Sequence, residues 1–208
     1  MRVVVPYRVA DPKTRLADLL DREERPAFAR AMLDDVLGAV RAAGHDPTVL
    51  ATEPFDCPAR VRVDDRSLSR AVDAVVDESL PERPVAVVMA DLPLATPRAL
   101  GRLFETDGDV VVAPGRGGGT NALVVRDSAF RADYHGASFR DHRRACETAG
   151  LTFETVDSYR LGTDVDEPAD LVEVLLHGEG TARRWLDDHA FDVETGDGRV
   201  RPVRRERG

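Results

Sequence analysis

The stretch PVAVVMADLP, residues 84–93, most restricts what this chain can become. Its apolar run shows no polar alternation, so a strand here must be covered on both faces, as in the middle of a parallel sheet. RVVV near the start and DVVVAP (109–114) read the same way. PTVLAT (47–52), NALVV (121–125) and the weaker ARVRV (59–63) and TFETV (152–156) are further predicted strands. Helical patterns separate them. Between Glu23 and Ala43, Phe28, Met32, Leu33, Val36, Leu37 and Val40 recur at helical spacing, and Gly44 ends the helix. Other helices are predicted from Ser67 or Ser69 to Glu78, over TPRALGRLFE with Thr96 as N-cap and Pro97 at its first position, and over 138–149. DEPADLVEVLLH (166–177) is predicted as a helix capped by Asp166, and Trp185 anchors a last one near 180–190. The basic tail RVRPVRRERG is expected to fray. Strand–helix alternation of this kind implies a single three-layer α/β domain with a mainly parallel sheet over 1–208. Its core is expected at 1–177, with a C-terminal helix and tail at 178–208.

Composition narrows the partners. Thirty-eight acidic against 29 basic residues leave a net charge of −9, which repels nucleic acid and anionic membrane, so neither is expected as a partner. The acidic excess and the scarcity of lysine also fit a protein from a salt-loving archaeon, or simply a GC-rich genome that writes Arg for Lys. Cys57 and Cys146 stand far apart with no metal-ligand spacing around them, which suits a reducing cytoplasm. No apolar run reaches transmembrane or signal-peptide length, and a cytoplasmic location is expected.

In an open α/β sheet, ligands gather beyond the carboxyl ends of the strands. Four polar constellations fall there. VPYRVADPKTRLA carries Pro6, Arg8, Arg15 and Lys13, the only lysine in the chain. An ammonium suits phosphate as a compact charge, although a solvated turn would look the same. Asp91 follows the most buried strand, where it reads either as an oxygen ligand for Mg²⁺ or as an Asx-turn before Pro93. Gly117, Gly118 and Gly119 let backbone N–H groups approach an anion, with Thr120 and Asn121 as donors at the loop exit; a plain hairpin turn is the other reading. Asp164 and Asp166 precede a helix, where they can converge on the metal of Asp91 or cap that helix. His142 reads as a surface residue of helix 138–149, with an approach to a bound substrate as the other reading.

Taken in this order, VPYRVADPKTRLADLLDREER, VMADLPL, APGRGGGTNAL, YHGASFRDHRRACETAG and TDVDEPADL resemble the 2-phospho-L-lactate guanylyltransferase family of coenzyme F-420 biosynthesis, within the nucleotidyltransferases similar to the molybdopterin guanylyltransferase. The resemblance runs from residue 3 to about 171. It implies a Rossmann-like nucleotidyltransferase fold, Mg²⁺, and GMP transfer from GTP to (2S)-2-phospholactate with release of pyrophosphate. It implies that Lys13, with Arg15, contacts phosphate, that Asp91 and Asp166, with Asp164, hold metal, and that Thr120, Gly136 and Ser138 hold the three-carbon acid. Ser69 falls in the region implied for the base, and a homodimer is implied. YHGASF departs from the family pattern by placing His135 where a glycine is usual, with Gly136 one place later. Phosphoenolpyruvate, molybdopterin or a sugar phosphate as acceptor, and a catalytically silent nucleotide-binding module, are the alternatives.

Overall fold

The computed structural model describes residues 1–80, 82–196 and 198–205. The first half comprises β1 (Arg2–Tyr7), α1 (Glu24–Ala42), β2 (Pro47–Ala51), β3 (Arg60–Val63), α2 (Leu68–Ser79) and β4 (Val85–Val88). Then come α3 (Pro97–Glu105), β5 (Val110–Pro114), β6 (Thr120–Val125), α4 (Ser138–Ala149) and β7 (Phe153–Thr155). The chain ends with α5 (Tyr159–Gly162), α6 (Leu171–His177), α7 (Thr181–Asp188) and a hairpin of β8 (Phe191–Gly196) with β9 (Arg199–Arg204).

Seven strands form one sheet in the order β3-β2-β1-β4-β6-β5-β7. All neighbours run parallel except β6, which is antiparallel to β4 and β5. A short glycine-rich loop can only return the chain as a hairpin, so β6 must oppose β5. That reversal brings the N-terminus of β6 to the edge where β1, β4 and β5 end. β4 is buried along its whole length, as its unalternating sequence requires, and the chain leaves it after Val88.

One face of the sheet packs Val3, Val5, Ala86 and Val88 against Leu33, Val36 and Leu37 of α1 and Leu100 and Leu103 of α3. The other packs Val4, Val85, Leu123 and Val125 against Val72 and Val76 of α2 and Cys146 of α4. Thr96 caps α3 as expected, its hydroxyl oxygen accepting the Ala99 N–H at 3.2 Å. A third cluster lies outside the sheet and joins Leu16, Leu20, Phe28 and Met32 to Val165, Leu171, Leu186 and Phe191. It fixes the loop after β1 to the segment before α6, two stretches 150 residues apart that both reach the site.

Two expectations are corrected. Asp166 does not cap a helix: the Asp170 carboxylate accepts from the N–H groups of Asp166 and Glu167, and Glu167 heads a short 3₁₀ turn, Pro168–Asp170, ahead of α6. The Asp166 side chain is thereby free to point elsewhere. The basic tail does not fray over its first six residues. It pairs as β9 with β8, Phe191 is buried, and Arg204 grips Glu24 of α1 with two nitrogens at 2.5 and 3.0 Å. Residues 206–208 lie outside the described residues. Trp185 does anchor α7, its ring 5.2 Å from Phe28 and stacked on His189. Asp35 of α1 caps α7 by accepting the N–H groups of Thr181 and Ala182 at 2.5 and 2.9 Å. Gly180 is required there, since a Cβ would lie 2.3 Å from that carboxylate.

Candidate active site

Lys13 has a left-handed backbone, φ 55° and ψ 41°, which costs a side-chain-bearing residue about 1–2 kcal/mol. Strain of this kind persists only where the surroundings over-determine it. Here the chain is held by the 3₁₀ turn Thr14–Leu16, whose Leu16 N–H returns to the Lys13 carbonyl at 3.0 Å while the Leu16 side chain is fully buried. The turn aims the lysine back at the sheet edge. Its Nζ donates to Asp91 Oδ2 and to Asp166 Oδ1, both at 2.8 Å. An ammonium has three donors, so one remains for a further acceptor.

Burial works against the charge of Lys13, whose side chain is 12% exposed, but the Asp91 and Asp166 carboxylates outweigh it and hold its pKa above the usual lysine value. The lysine is therefore an ammonium at any physiological pH. Asp91 sits just past β4, and its carbonyl accepts the Val165 N–H at 3.1 Å, which pins the Asp164–Asp166 segment beside it. Arg15 is mostly exposed, with Nη1 3.8 Å from the second oxygen of Asp166.

These groups line one cavity of 350 Å³, with Pro6, Arg8, Lys13, Arg15, Asp91 and Asp166 in its wall. A second cavity of 620 Å³ adjoins it and shares Pro6, Tyr7, Arg8 and Met89. Leu50, Leu68 and Ala71 form its apolar side, and Thr52, Glu53 and Asp64 supply oxygen acceptors. Asp64 is held by Arg66 through Nε at 2.8 Å and Nη2 at 2.5 Å.

The glycine-rich loop makes a separate constellation that lines neither cavity. It is closed by Gly115 N–H to Gly119 O and Gly118 N–H to Gly115 O, both 3.0 Å, with Gly118 at φ 83°. The Phe139 N–H reaches Gly118 O at 3.2 Å, so Gly117, Gly118 and Gly119 lie against the start of α4, where Ser138 is buried. Gly136 takes φ 57° in the turn entering that helix, so it is the glycine that this turn requires, and His135 is an exposed neighbour paired with Asp133.

Asn121 and Asp164 hold each other. Asn121 Nδ2 donates to the Leu161 carbonyl at 2.9 Å and to Asp164 Oδ1 at 3.0 Å. Gly115 must be glycine, because a Cβ would stand 2.4 Å from the Asn121 oxygen. Burial raises the Asp164 pKa, with Asn121 opposing and the Asp91 and Asp166 charges adding to the rise. The described residues contain no group of three or more His, Cys, Asp or Glu side chains placed to hold a metal ion. Of the three expected carboxylates, Asp91 and Asp166 meet at Lys13, whereas Asp164 accepts from Asn121. Ser69 is not brought to the cavities either: its hydroxyl accepts the Tyr134 N–H at 3.0 Å and ties α2 to the loop before α4.

His142 is buried, contrary to its expected place on the surface. Ser138, His142 and Cys146 form a buried stripe at four-residue spacing on α4, a periodicity present in the sequence that could have revealed it. Its burial pushes the pKa down to about 4 despite Asp133 and Asp141. Below pH about 6.5 the unfolded chain takes a proton that folded His142 refuses until about pH 4. Stability is therefore expected to fall by about 3 kcal/mol as pH drops across that window and to level off below it. Urea unfolding from pH 7 to pH 4 checks this, and a slope equally steep in His142→Gln would refute the assignment to this residue.

A model of the guanylyl transferase family described as CofC-like matches residues 1–206. The chain belongs to that family. The 2-phospho-L-lactate guanylyltransferase of Halomicrobium mukohataei is 61% identical over 200 residues, covering 96% of this chain and 98% of that protein. That of Haloferax volcanii is 60% identical over 207 residues and covers both chains completely. Both relatives come from halophilic archaea. Among solved structures, a candidate nucleotide-diphospho-sugar transferase from Desulfovibrio desulfuricans has a TM-score of 0.71 at 15% identity, covering 91% of this chain and 96% of that one. A cytidylyltransferase from Leptospira borgpetersenii has a TM-score of 0.57 at 14% identity, with 89% and 90% covered. These likenesses show the fold, the Rossmann-like sheet of nucleotidyltransferases. No helix among the described residues is long and apolar enough to cross a membrane.

Proposed function

We propose that this chain transfers GMP from GTP to (2S)-2-phospholactate, giving lactyl-2-diphospho-5′-guanosine and pyrophosphate in coenzyme F-420 biosynthesis. The observation that carries the reading is the buried Lys13 ammonium, with two donors on Asp91 and Asp166 and one left over, at the wall of a cavity that opens into a second one. The relatives at 60% and 61% identity, named for this reaction and matching at full length, support it. The adjoining cavity is large enough for a nucleoside, with an apolar side for a base and the exposed Glu53 carboxylate as an acceptor for the N–H edge of guanine.

In the proposed reaction a phosphate oxygen of the acceptor attacks the α-phosphorus of GTP. A new P–O bond forms as the bond from the α-phosphorus to the bridging oxygen breaks, and that electron pair leaves with pyrophosphate. The acceptor phosphate is already anionic near neutral pH, so no general base is required. The protein's task is positioning and charge neutralisation. Lys13 gives its third donor to a phosphate oxygen, and Arg8 and Arg15 add positive charge along the same wall. The donor chemistry fits Mg²⁺, which is commonly bound by one or two carboxylates and substrate phosphates, with Asp91 and Asp166 as the protein ligands. When bound, the ion offsets the negative charge of the triphosphate.

The test is pyrophosphate release by the purified chain in high salt with GTP and MgCl₂. We expect release with 2-phospholactate, little without an acceptor, and little once the divalent ion is chelated. Release that ignores the acceptor, or that needs CTP or a sugar phosphate, would overturn the reading. Phosphoenolpyruvate as a second acceptor arm decides between the two three-carbon acids.

A further inference from the structure

We propose that His142 is a positioning residue that holds the Thr120 hydroxyl as a hydrogen-bond donor toward an anionic oxygen of the acceptor acid. This rests on the functional reading above and on the expectation, implied by the family resemblance, that Thr120, Gly136 and Ser138 hold that acid.

The argument begins with a bulge. β5 and β6 pair Ala113 with Ala122 but Pro114 with Thr120, leaving Asn121 as an extra residue. A bulge of this kind re-aims the side chain beside it. Ala122 packs with the α1 and α3 face, and Asn121 reaches the Leu161 carbonyl on that same side. Thr120 is turned to the opposite side, where α4 lies. There its Oγ1 sits 2.9 Å from His142 Nδ1, with both residues buried.

The other ring nitrogen decides which of the two donates. The Asp133 backbone N–H points at His142 Nε2 at 2.9 Å, and a backbone N–H can only donate. Nε2 must therefore carry its lone pair, and a neutral ring then carries its hydrogen on Nδ1. Burial keeps the ring neutral above about pH 4, so this tautomer holds at working pH. Nδ1–H donates to Thr120 Oγ1, and the hydroxyl hydrogen of Thr120 is left over. Its only protein partner among the described residues is His142, which has no acceptor to offer it.

The imidazole is itself locked. Phe130 and Tyr134 meet it edge-on, with ring centroids 5.4 and 4.9 Å away. Ser69 and Asp73 of α2 hold the backbone of Tyr134 and Ala132 at 3.0 and 2.8 Å, which fixes the loop that carries the Asp133 N–H. Ser69, a predicted ligand, thus acts two steps behind the acceptor. With one lone pair of Thr120 Oγ1 taken by His142 and its hydrogen unused by the protein, the hydroxyl beside the glycine-rich loop is suited to an oxygen anion, a carboxylate or phosphate of the acid.

The experiment uses the purified full chain with GTP, Mg²⁺ and 2-phospholactate. His142→Leu and Thr120→Val are each expected to raise the KM for 2-phospholactate about ten-fold while leaving that for GTP within about two-fold. The double variant should be no worse than Thr120→Val alone. His142→Asn, which restores an N–H near the Nδ1 position, should recover most of the loss. Additive effects, or equal rises in both KM values, mark a merely structural histidine and overturn the proposal. Should His142→Leu not fold, ¹⁵N-histidine NMR of the unsubstituted protein still decides. A hydrogen on Nδ1 is expected, and one on Nε2 would overturn it. Absence of any turnover by the unsubstituted chain would sink the functional reading along with this one. Normal turnover with an unchanged acceptor KM in Thr120→Val would sink this proposal alone.

Discussion

Lys13→Ala is expected to lower kcat about 10²–10³-fold, the effect of deleting one preorganised charged contact at a transferring phosphate. Among the described residues, the substitution removes the only cation within hydrogen-bonding distance of both Asp91 and Asp166. It leaves two uncompensated carboxylates in the wall of the cavity proposed for the triphosphate, so the dependence on Mg²⁺ should also rise. Lys13→Arg is expected to lose most of the activity as well. A guanidinium keeps the charge but spreads its donors in a rigid planar fork, and it cannot bridge two carboxylate oxygens at 2.8 Å from a single nitrogen and still turn a third donor to phosphate. Alanine and arginine both inherit the left-handed backbone, so strain does not separate them. Arg98→Ala, a change at an exposed site on α3, serves as the control and should stay within a few-fold of the unsubstituted chain. Steady-state kinetics with both substrates varied decides the matter, and Lys13→Ala activity within a few-fold of wild type would remove Lys13 from the chemistry.

Asp91→Asn should cost about 10²-fold in kcat/KM and shift the Mg²⁺ dependence to higher concentration. The amide has the same shape and can still accept from Lys13, so the fold is retained and the loss reports the missing charge. Asp164→Asn makes the contrast. Asp164 accepts from Asn121 rather than facing the lysine, and an amide oxygen can accept that bond too, so its effect should be within about ten-fold. Mg²⁺ titrations of both variants, with melting curves to show that each is folded, separate the roles. Equal losses in the two would make Asp164 a ligand on the same footing as Asp91 and overturn the proposed pair of Asp91 and Asp166.

Several features of the site were legible because they are local. The central strand followed by Asp91 follows from an apolar run that ends in a carboxylate. The lone lysine stood out against a chain that otherwise writes arginine. Thr96 and Pro97 announced α3 in full, since capping depends on neighbours a few residues away. Asp166 differs from its expected role as a cap for the converse reason: Glu167 and Asp170 cap the turn reciprocally, and the Asp166 carboxylate is drawn instead to Lys13, 153 residues away in sequence. The tail pairs where fraying is expected because its partner strand follows directly on a helical run, and its anchor, Glu24, is 180 residues away. His142 looked like a surface residue because arginines flank it. The buried stripe from Ser138 to Cys146 was nevertheless present in the spacing.

By itself, the sequence determined the alternation of buried strands and amphipathic helices, the parallel core, and the residue types gathered at the strand ends. Those properties rest on periodicity and on which side chains water rejects, and both act over a few residues. Only the tertiary structure decided how the polar groups are shared out. Lys13 is placed between Asp91 and Asp166, Asp164 is given to Asn121, Ser69 to Tyr134, and the Thr120 hydroxyl to His142. A buried donor must find an acceptor, and the candidates come from segments that only the packed core brings within 3 Å.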